Sequence, residues 1–280
     1  MANYKNYKAG FDLLPLSKSW AIRMIFLDMV YGIKTGYKII NELSKKKKEL
    51  ADDIRAALDC ANSYLNSKRV YNVRNSGTVC RFLTYLLEGT NYKLKMGKQL
   101  SRRNLGYAKN LKDKNLKEFL KLGTSQFASA AILFGTKPIK NLPNKCKLSV
   151  EARKVYFKNN GKWVPRTDEV IKRQLEHFIK GGKFIPKIAE DYCYARAFGF
   201  ITLREGKARW SELKNHESNR LDVMEGVLKD LNRRINVHED HRVAMAVVLK
   251  QKSLGLPIQI NNKKCVSKSW PKFWEWLALV

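Results

Sequence analysis

The chain has 280 residues, 44% of them hydrophobic, which is enough for a buried core in one large domain or two modest ones and excludes a disordered composition. Its 55 basic and 25 acidic residues give a formal charge of +30, a balance that first suggests nucleic acid or an anionic membrane. The excess is largely Lys, spread along the whole chain with plentiful Asn and Ile, as AT-rich codons produce. No module that interleaves Arg with aromatics is present, so a nucleic-acid partner is not expected. Five scattered cysteines, an odd number with no CxxC, fit a reduced, cytoplasmic setting. The first residues, Met1 to Lys8, lack a signal-peptide core, and the apolar run Trp20 to Val30 carries Arg23 and Asp28 and is too short to span a bilayer. No membrane association is expected.

In chain order, Trp20 to Leu43 reads as a long helix interrupted near Gly32 or Gly36, and Asp52 to Leu65 as a second helix with an acid at its start. The Lys45 to Lys48 run that precedes it reads as a solvated face. Arg69 to Val73 alternates like a strand. Ala152 to Val164 reads as a hairpin, because Val155-Tyr-Phe and Trp163-Val flank Asn159-Asn160-Gly161 and Asn-Gly is a strong turn signal. Asp168 to Ile179 reads as a helix ending at Gly181-Gly182, where a domain boundary is placed. Leu221 to Leu231 and Val243 to Leu249 are apolar helical runs, and Ile258-Gln-Ile a short strand. The order strand, polar turn, helix recurs, so the fold class is α/β.

One pattern recurs six times: a small polar cluster with a cation, or once an amide, opens an apolar helix-like run. The copies are Leu14-Pro-Leu-Ser-Lys-Ser-Trp-Ala-Ile-Arg23, Asn75-Ser-Gly-Thr-Val-Cys-Arg81, Thr124-Ser-Gln126, His216-Glu-Ser-Asn-Arg220, His238-Glu-Asp-His-Arg242 and Ser267-Lys-Ser-Trp-Pro271. Ser, Thr, Asn and Asp are ordinary caps. Lys and Arg in a first turn oppose the helix dipole. Cap and cation agree if an anion lies between them, where backbone N–H groups, dipole and cation all meet it.

In this order, Leu14-Pro-Leu-Ser-Lys-Ser-x-x-x-Arg23, Asn75-x-Gly-Thr-x-x-Arg81-Phe-Leu, Thr124-Ser-Gln126, Glu217-Ser-x-Arg220-Leu, Asp240-His-Arg-x-Ala-Met245 and Lys268-Ser-x-Pro271 resemble 5-enolpyruvylshikimate-3-phosphate synthase, the 3-phosphoshikimate 1-carboxyvinyltransferase family. The sister family, UDP-N-acetylglucosamine enolpyruvyl transferase, has Asn after the first Lys and uses a loop Cys; here Ser19 follows Lys18. The resemblance implies a two-domain fold built from βαβαββ units. It implies residues 1–18 plus 181–280 as a first, discontinuous domain with the acid/base glutamate and the C-terminal cations, and 19–180 as a second, on the shikimate-3-phosphate side. It implies a transferase of the shikimate pathway, towards chorismate and the aromatic amino acids. The small anionic substrates are phosphoenolpyruvate and shikimate 3-phosphate, no cofactor or metal is needed, and the protein acts as a monomer.

Carried over residue by residue, the resemblance implies Lys18 and Glu217 as catalytic. It implies Lys18, Gly77, Arg103, Gln126, Arg220, Arg242 and Lys268 around phosphoenolpyruvate. Around shikimate 3-phosphate it implies Lys18, Ser19, Arg23, Thr124, Ser125, Gln126 and His216. Arg166 matches what remains of a Ser-Arg-Pro-Tyr motif. The chain departs from the family in several places. Asn104 replaces a proline after Arg103, Leu16 a glycine and His216 a lysine. With Tyr192 as the matching tyrosine, Pro186 occupies the place of the general-base aspartate, and Glu190 and Asp191 are on the wrong turn. The chain is also short for the family, so at least one βαβαββ unit is expected to be trimmed.

Simpler readings compete. His238, Glu239 and His241 lack a third ligand at metal spacing. Trp270, Phe273, Trp274, Trp276 and Leu277 have the spacing of a buried C-terminal helix, which competes with a base-stacking platform. The rival functions are a degenerate relative that binds anions without catalysis and a basic nucleic-acid-binding protein.

Overall fold

The computed structural model describes residues 12–103, 105–106, 109–122, 124–135, 144–216 and 218–280. The chain divides into two compact units, residues 16–166 and residues 1–15 with 167–280. The second crossing lies at 166/167, so the helix before Gly181-Gly182 belongs with the C-terminal unit.

The 16–166 unit is organised around helix α1 (Lys18–Tyr31), in which every residue from Trp20 to Met29 is buried. A helix apolar on all sides must be surrounded. Helices α2 (Lys38–Lys45) and α3 (Asp52–Leu65) pack on it. The break foreseen near Gly32 and Gly36 is real. A Cβ on Gly32 would lie 2.6 Å from the Tyr37 ring, and Gly36 and Tyr37 take left-handed φ of 71° and 52°. Tyr37 makes no side-chain cap at α2. Asp28 supplies one instead: buried within α1, it accepts the Ile40 N–H at 2.9 Å and the Tyr156 hydroxyl at 3.1 Å.

Strand β1 (Val70–Arg74), helix α4 (Gly77–Leu86) and strand β2 (Lys93–Met96) form one β–α–β element with parallel strands. A short helix α5 (Lys98–Ser101) and helix α6 (Leu116–Lys121) follow. Helix α7 (Gln126–Phe134) packs on α4 and on α8 (Asn144–Lys158).

Helix α8 replaces the expected hairpin. Ser149, Ala152 and Tyr156 are buried at helical spacing, and the Asn-Gly pair ends the helix instead of reversing a strand. Asn160 and Gly161 take φ of 47° and 67°, and the Gly161 N–H donates to Tyr156 O at 3.0 Å, the closure of a helix C-terminus. Asn-Gly satisfies both geometries, and the contact of Tyr156 with Asp28 settles which forms.

The other unit is helical: α9 (Glu169–Lys180), α10 (Tyr192–Ala197), α11 (Leu203–Arg209), α12 (Arg220–Leu228), α13 (His241–Ser253) and α14 (Phe273–Leu279). Helix α13 is its centre, buried from His241 to Leu249, with α10, α12 and the 3-10 segment Lys263–Lys268 packed on it. Trp270, Phe273 and Trp276 are core, and the Trp270 indole donates to Leu13 O at 2.7 Å, tying the early segment into this unit. The strand expected at Ile258-Gln-Ile is a single parallel bridge, Ile260 to Ile235.

Over the described residues the chain is thus helix-rich α/β with one small parallel sheet. Among the described residues, the further strands of a βαβαββ unit are absent.

Burial raises the Asp28 carboxyl above its ordinary value, against the lowering effect of its hydrogen bonds. A raised folded value means that stability is greatest below the unfolded value of about 4 and declines as pH rises through the folded one. In urea titrations from pH 4 to 8, the wild type should lose stability with rising pH relative to Asp28→Asn. Asp28→Ala leaves buried donors without an acceptor and should cost about 2–4 kcal/mol throughout.

Candidate functional site: cations at helix starts

In the 16–166 unit, Ser17 caps α1 by accepting the Trp20 N–H, and Lys18 is the first helical residue. Its Nζ lies 3.0 Å from Oδ2 of Asp53, in the first turn of α3. The exposed Ser19 offers its carbonyl to Arg23 Nη1 at 2.8 Å. Arg23 is 5% exposed; its Nε donates to Ser149 Oγ at 2.9 Å, and the Phe82 ring lies 5.5 Å away. None of these partners is a carboxylate. Burial pulls the guanidinium down to about 10, still charged near neutrality.

The starts of α4 and α7 form a second group. Arg81 Nη1 donates to Gln126 Oε1 at 2.6 Å, Gln126 Nε2 to Thr78 Oγ1 at 2.8 Å, and the Gln126 N–H to Thr124 Oγ1 at 3.2 Å. Gly77 opens α4 beside them, where a Cβ would stand 3.0 Å from Arg81 Nη1. Asn75 accepts the Leu100 N–H at 3.2 Å and so ties α5 to this motif; Arg103 follows, with Nη2 buried and without a hydrogen-bond partner among the described residues. Ser125 precedes α7 without making a side-chain cap. Arg166 lies 3.6 Å over the Trp20 ring and pairs with Glu151 at 2.7 Å, which lowers the Glu151 carboxyl.

In the C-terminal unit, Arg220 opens α12 and is clamped by Asp240: Nε to Oδ2 at 2.8 Å and Nη2 to Oδ1 at 3.1 Å. Ser218 also donates to Asp240, at 3.0 Å, and His216 Nδ1 is 3.4 Å from Arg220 Nη1. Oδ1 of Asp240 also accepts the N–H groups of Arg242 and Val243 and caps α13. Two consecutive left-handed residues, His238 at 50° and Glu239 at 58°, turn the chain into that cap. Arg242 is 7% exposed, its Nη2 3.9 Å from Asp168 Oδ2, and its Nη1 is buried without a hydrogen-bond partner among the described residues. Lys268 is buried at the end of the segment packed on α13. Glu217 and Asn104 lie outside the described residues, as do Met1 to Lys8.

The stretch 186–191, where the resemblance leads one to expect a base aspartate, has another use. Asp191 is fully buried; both its oxygens lie 2.6 Å from Arg173 Nη2, and Oδ2 accepts the N–H groups of Lys187 and Ile188. It closes the 186–191 turn. Glu190 is exposed, and Pro186 O accepts from Arg209 at 2.7 Å. The Tyr192 hydroxyl is buried and pushed up by desolvation. Among the described residues, no three His, Cys, Asp or Glu side chains gather as a metal site, and no helix is long and apolar enough to cross a membrane.

Sequence reading missed Asp53, Asp168 and Ser149 as partners. The two aspartates were visible as helix-start acids, while Ser149 carried no signal because it reaches Arg23 only in the fold.

Asp240→Asn should destabilise the C-terminal unit by about 3–5 kcal/mol, because it removes the charge that clamps a buried guanidinium through two nitrogens. Asp53→Asn, at a partly exposed pair, should cost under about 1 kcal/mol. Urea unfolding of the two variants checks the contrast.

Comparison with known proteins bears on the same residues. The family model for EPSP synthase (3-phosphoshikimate 1-carboxyvinyltransferase) matches residues 211–277, which include His216, Arg220, Asp240, Arg242 and Lys268. A pentafunctional AROM polypeptide of Yarrowia lipolytica is 39% identical over 51 residues, 18% of this chain and 3% of that protein. A 3-phosphoshikimate 1-carboxyvinyltransferase of Shouchella clausii is 25% identical over 139 residues, 40% of this chain and 31% of that protein. No solved structure matches. The chain is therefore EPSP synthase-like, and it spans under a third of the length of the curated relatives it matches.

Proposed function

We propose that the chain transfers the enolpyruvyl group of phosphoenolpyruvate to the 5-hydroxyl of shikimate 3-phosphate, with release of phosphate. The observation that carries this reading is the family match over 211–277, a stretch in which Arg220, Arg242 and Lys268 are buried and one guanidinium nitrogen of Arg242 lacks a partner among the described residues. Buried donors without acceptors are costly, and an anionic substrate would complete them.

In this reading Lys18, Gly77, Arg103, Gln126, Arg220, Arg242 and Lys268 hold phosphoenolpyruvate. Lys18, Ser19, Arg23, Thr124, Ser125, Gln126 and His216 hold shikimate 3-phosphate, and the uncompensated charge of Arg23 suits its anionic groups. Addition breaks the 5-hydroxyl O–H bond and joins the oxygen to C2 of phosphoenolpyruvate as the C2–C3 double bond opens and C3 gains a proton; elimination breaks the C2–O bond to phosphate and removes a proton from C3, which restores the double bond. Glu217 and Lys18 carry these protons. The five free cysteines accord with a cytoplasmic protein, and a monomer suffices for the reading.

A second reading, an anion-binding relative without turnover, is favoured by one observation: Asp191 is committed to Arg173 and to backbone N–H groups, and Pro186 carries no carboxylate. Steady-state phosphate release from the two substrates separates the readings. Turnover that falls at least about 100-fold in Glu217→Ala is expected. A folded chain that binds phosphoenolpyruvate but releases no phosphate would establish the second reading, and turnover untouched by Glu217→Ala would remove Glu217 from the chemistry.

A further inference from the structure

Two aspartates of the C-terminal unit share a construction. Each caps a helix through Oδ1 and faces an arginine, Asp240 with both oxygens and Asp168 with Oδ2. Asp240 caps α13 and clamps Arg220. Asp168 caps α9: its Oδ1 accepts the N–H groups of Val170 at 3.1 Å and Ile171 at 3.0 Å. Its own N–H donates to Pro15 O at 2.9 Å and its carbonyl accepts from Lys172 N–H at 2.9 Å. With backbone and one oxygen held, the direction of Oδ2 is set by the start of α9. That oxygen stands 3.9 Å from Arg242 Nη2, an ion-pair distance beyond hydrogen bonding.

Arg242 is thus held at two points. Its N–H donates to Asp240 Oδ1 at 2.9 Å, and its guanidinium faces Asp168 on the Nη2 side. Nη1 is buried and has no hydrogen-bond partner among the described residues. A planar guanidinium oriented through one nitrogen presents the other in a fixed direction.

We propose that Asp168 is a positioning residue: it holds Arg242 through Nη2 so that Nη1 is presented to the phosphate of the ligand. This rests on the reading above, in which Arg242 binds phosphoenolpyruvate. Asp168 does not touch the ligand and acts only through Arg242.

Asp168 has two jobs, and two substitutions separate them. Asn caps a helix about as well as Asp but has no charge, whereas Glu keeps the charge and caps poorly. Binding of inorganic phosphate and of phosphoenolpyruvate to the full chain would be measured by calorimetry for the wild type, Asp168→Asn, Asp168→Glu and Arg242→Ala, alongside thermal unfolding. In Asp168→Asn, the dissociation constant for both anions should rise about tenfold in a protein that still unfolds cooperatively, since small misplacements of a charged group weaken its contacts. In Asp168→Glu, the melting temperature should fall while affinity stays nearer the wild type. If turnover is present, Asp168→Asn should raise KM for phosphoenolpyruvate more than it lowers kcat.

Unchanged or tighter binding in Asp168→Asn, with binding lost in Arg242→Ala, would overturn the positioning role and leave the functional reading standing. Wild-type binding in Arg242→Ala would overturn both. Should Asp168→Asn fail to fold, Asp168→Ser, which keeps a cap without the charge, decides alone: wild-type affinity in that folded variant would overturn the proposal.

Discussion

A guanidinium in the first turn of a helix opposes the helix dipole and must have negative charge beside it. In the C-terminal unit that charge is Asp240. One carboxylate caps α13, clamps the first residue of α12 and accepts the Ser218 hydroxyl. Helix α13 is the centre of its unit, so its starting point sets where α10, α12 and the 263–268 segment can pack. A buried ion pair is not by itself a large source of stability, because desolvation offsets attraction. What Asp240 supplies is position: it makes the start of one helix and the side chain of another mutually dependent. The left-handed pair His238 and Glu239 is the backbone cost of bringing the carboxylate there.

The same rule divides the remaining cations. Lys18 meets Asp53 and Arg242 meets Asp168, so their helix starts are partly neutralised from within. Arg81 meets the neutral Gln126. Arg23 has a hydroxyl, a carbonyl and an aromatic ring, and burial has already weakened its hold on its proton. Arg103 Nη2 and Arg242 Nη1 lack hydrogen-bond acceptors among the described residues. Internal carboxylates therefore fix some cations and leave other buried donors without an acceptor.

Cap chemistry made several helix starts legible, though Ser76 and Ser125 precede helices without capping them. Ser17, Asn219 and Asp240 cap helices where the polar clusters pointed, and Asp168 caps the helix whose sequence pattern starts with it. The C-terminal aromatics are mostly core, as their spacing implied, with Trp274 only partly buried. The hairpin failed because Asn-Gly ends helices as readily as it turns strands, and only the meeting of Tyr156 with Asp28, distant in sequence, decides between them. The recurrent strands failed for a related reason: a run such as Ile258-Gln-Ile becomes a strand only with a partner along its length, and here Ile235 provides one bridge. Of the site, residue types and helix positions could be read from the sequence, but pairings could not. Asp53 and Asp168 looked like ordinary first-turn acids, and nothing near Ser149 announces that it will receive Arg23.

The scarcity of acids explains why those pairings matter. With 55 basic and 25 acidic residues, most cations cannot have a carboxylate of their own. The buried acids are placed where one group meets several demands. Asp28 joins a helix start to Tyr156, Asp191 closes a turn and holds Arg173, and Asp168 and Asp240 each cap a helix and face an arginine. A carboxylate used this way has its oxygens committed to structural partners and offers little free edge to a ligand. Asp191 lies five residues from Pro186, the position at which the resemblance expects the base, and an arginine and two backbone N–H groups occupy its oxygens. Structural demand for carboxylates in a strongly basic chain and chemical demand for a free one compete for the same few residues, and at Asp191 the structural demand has prevailed.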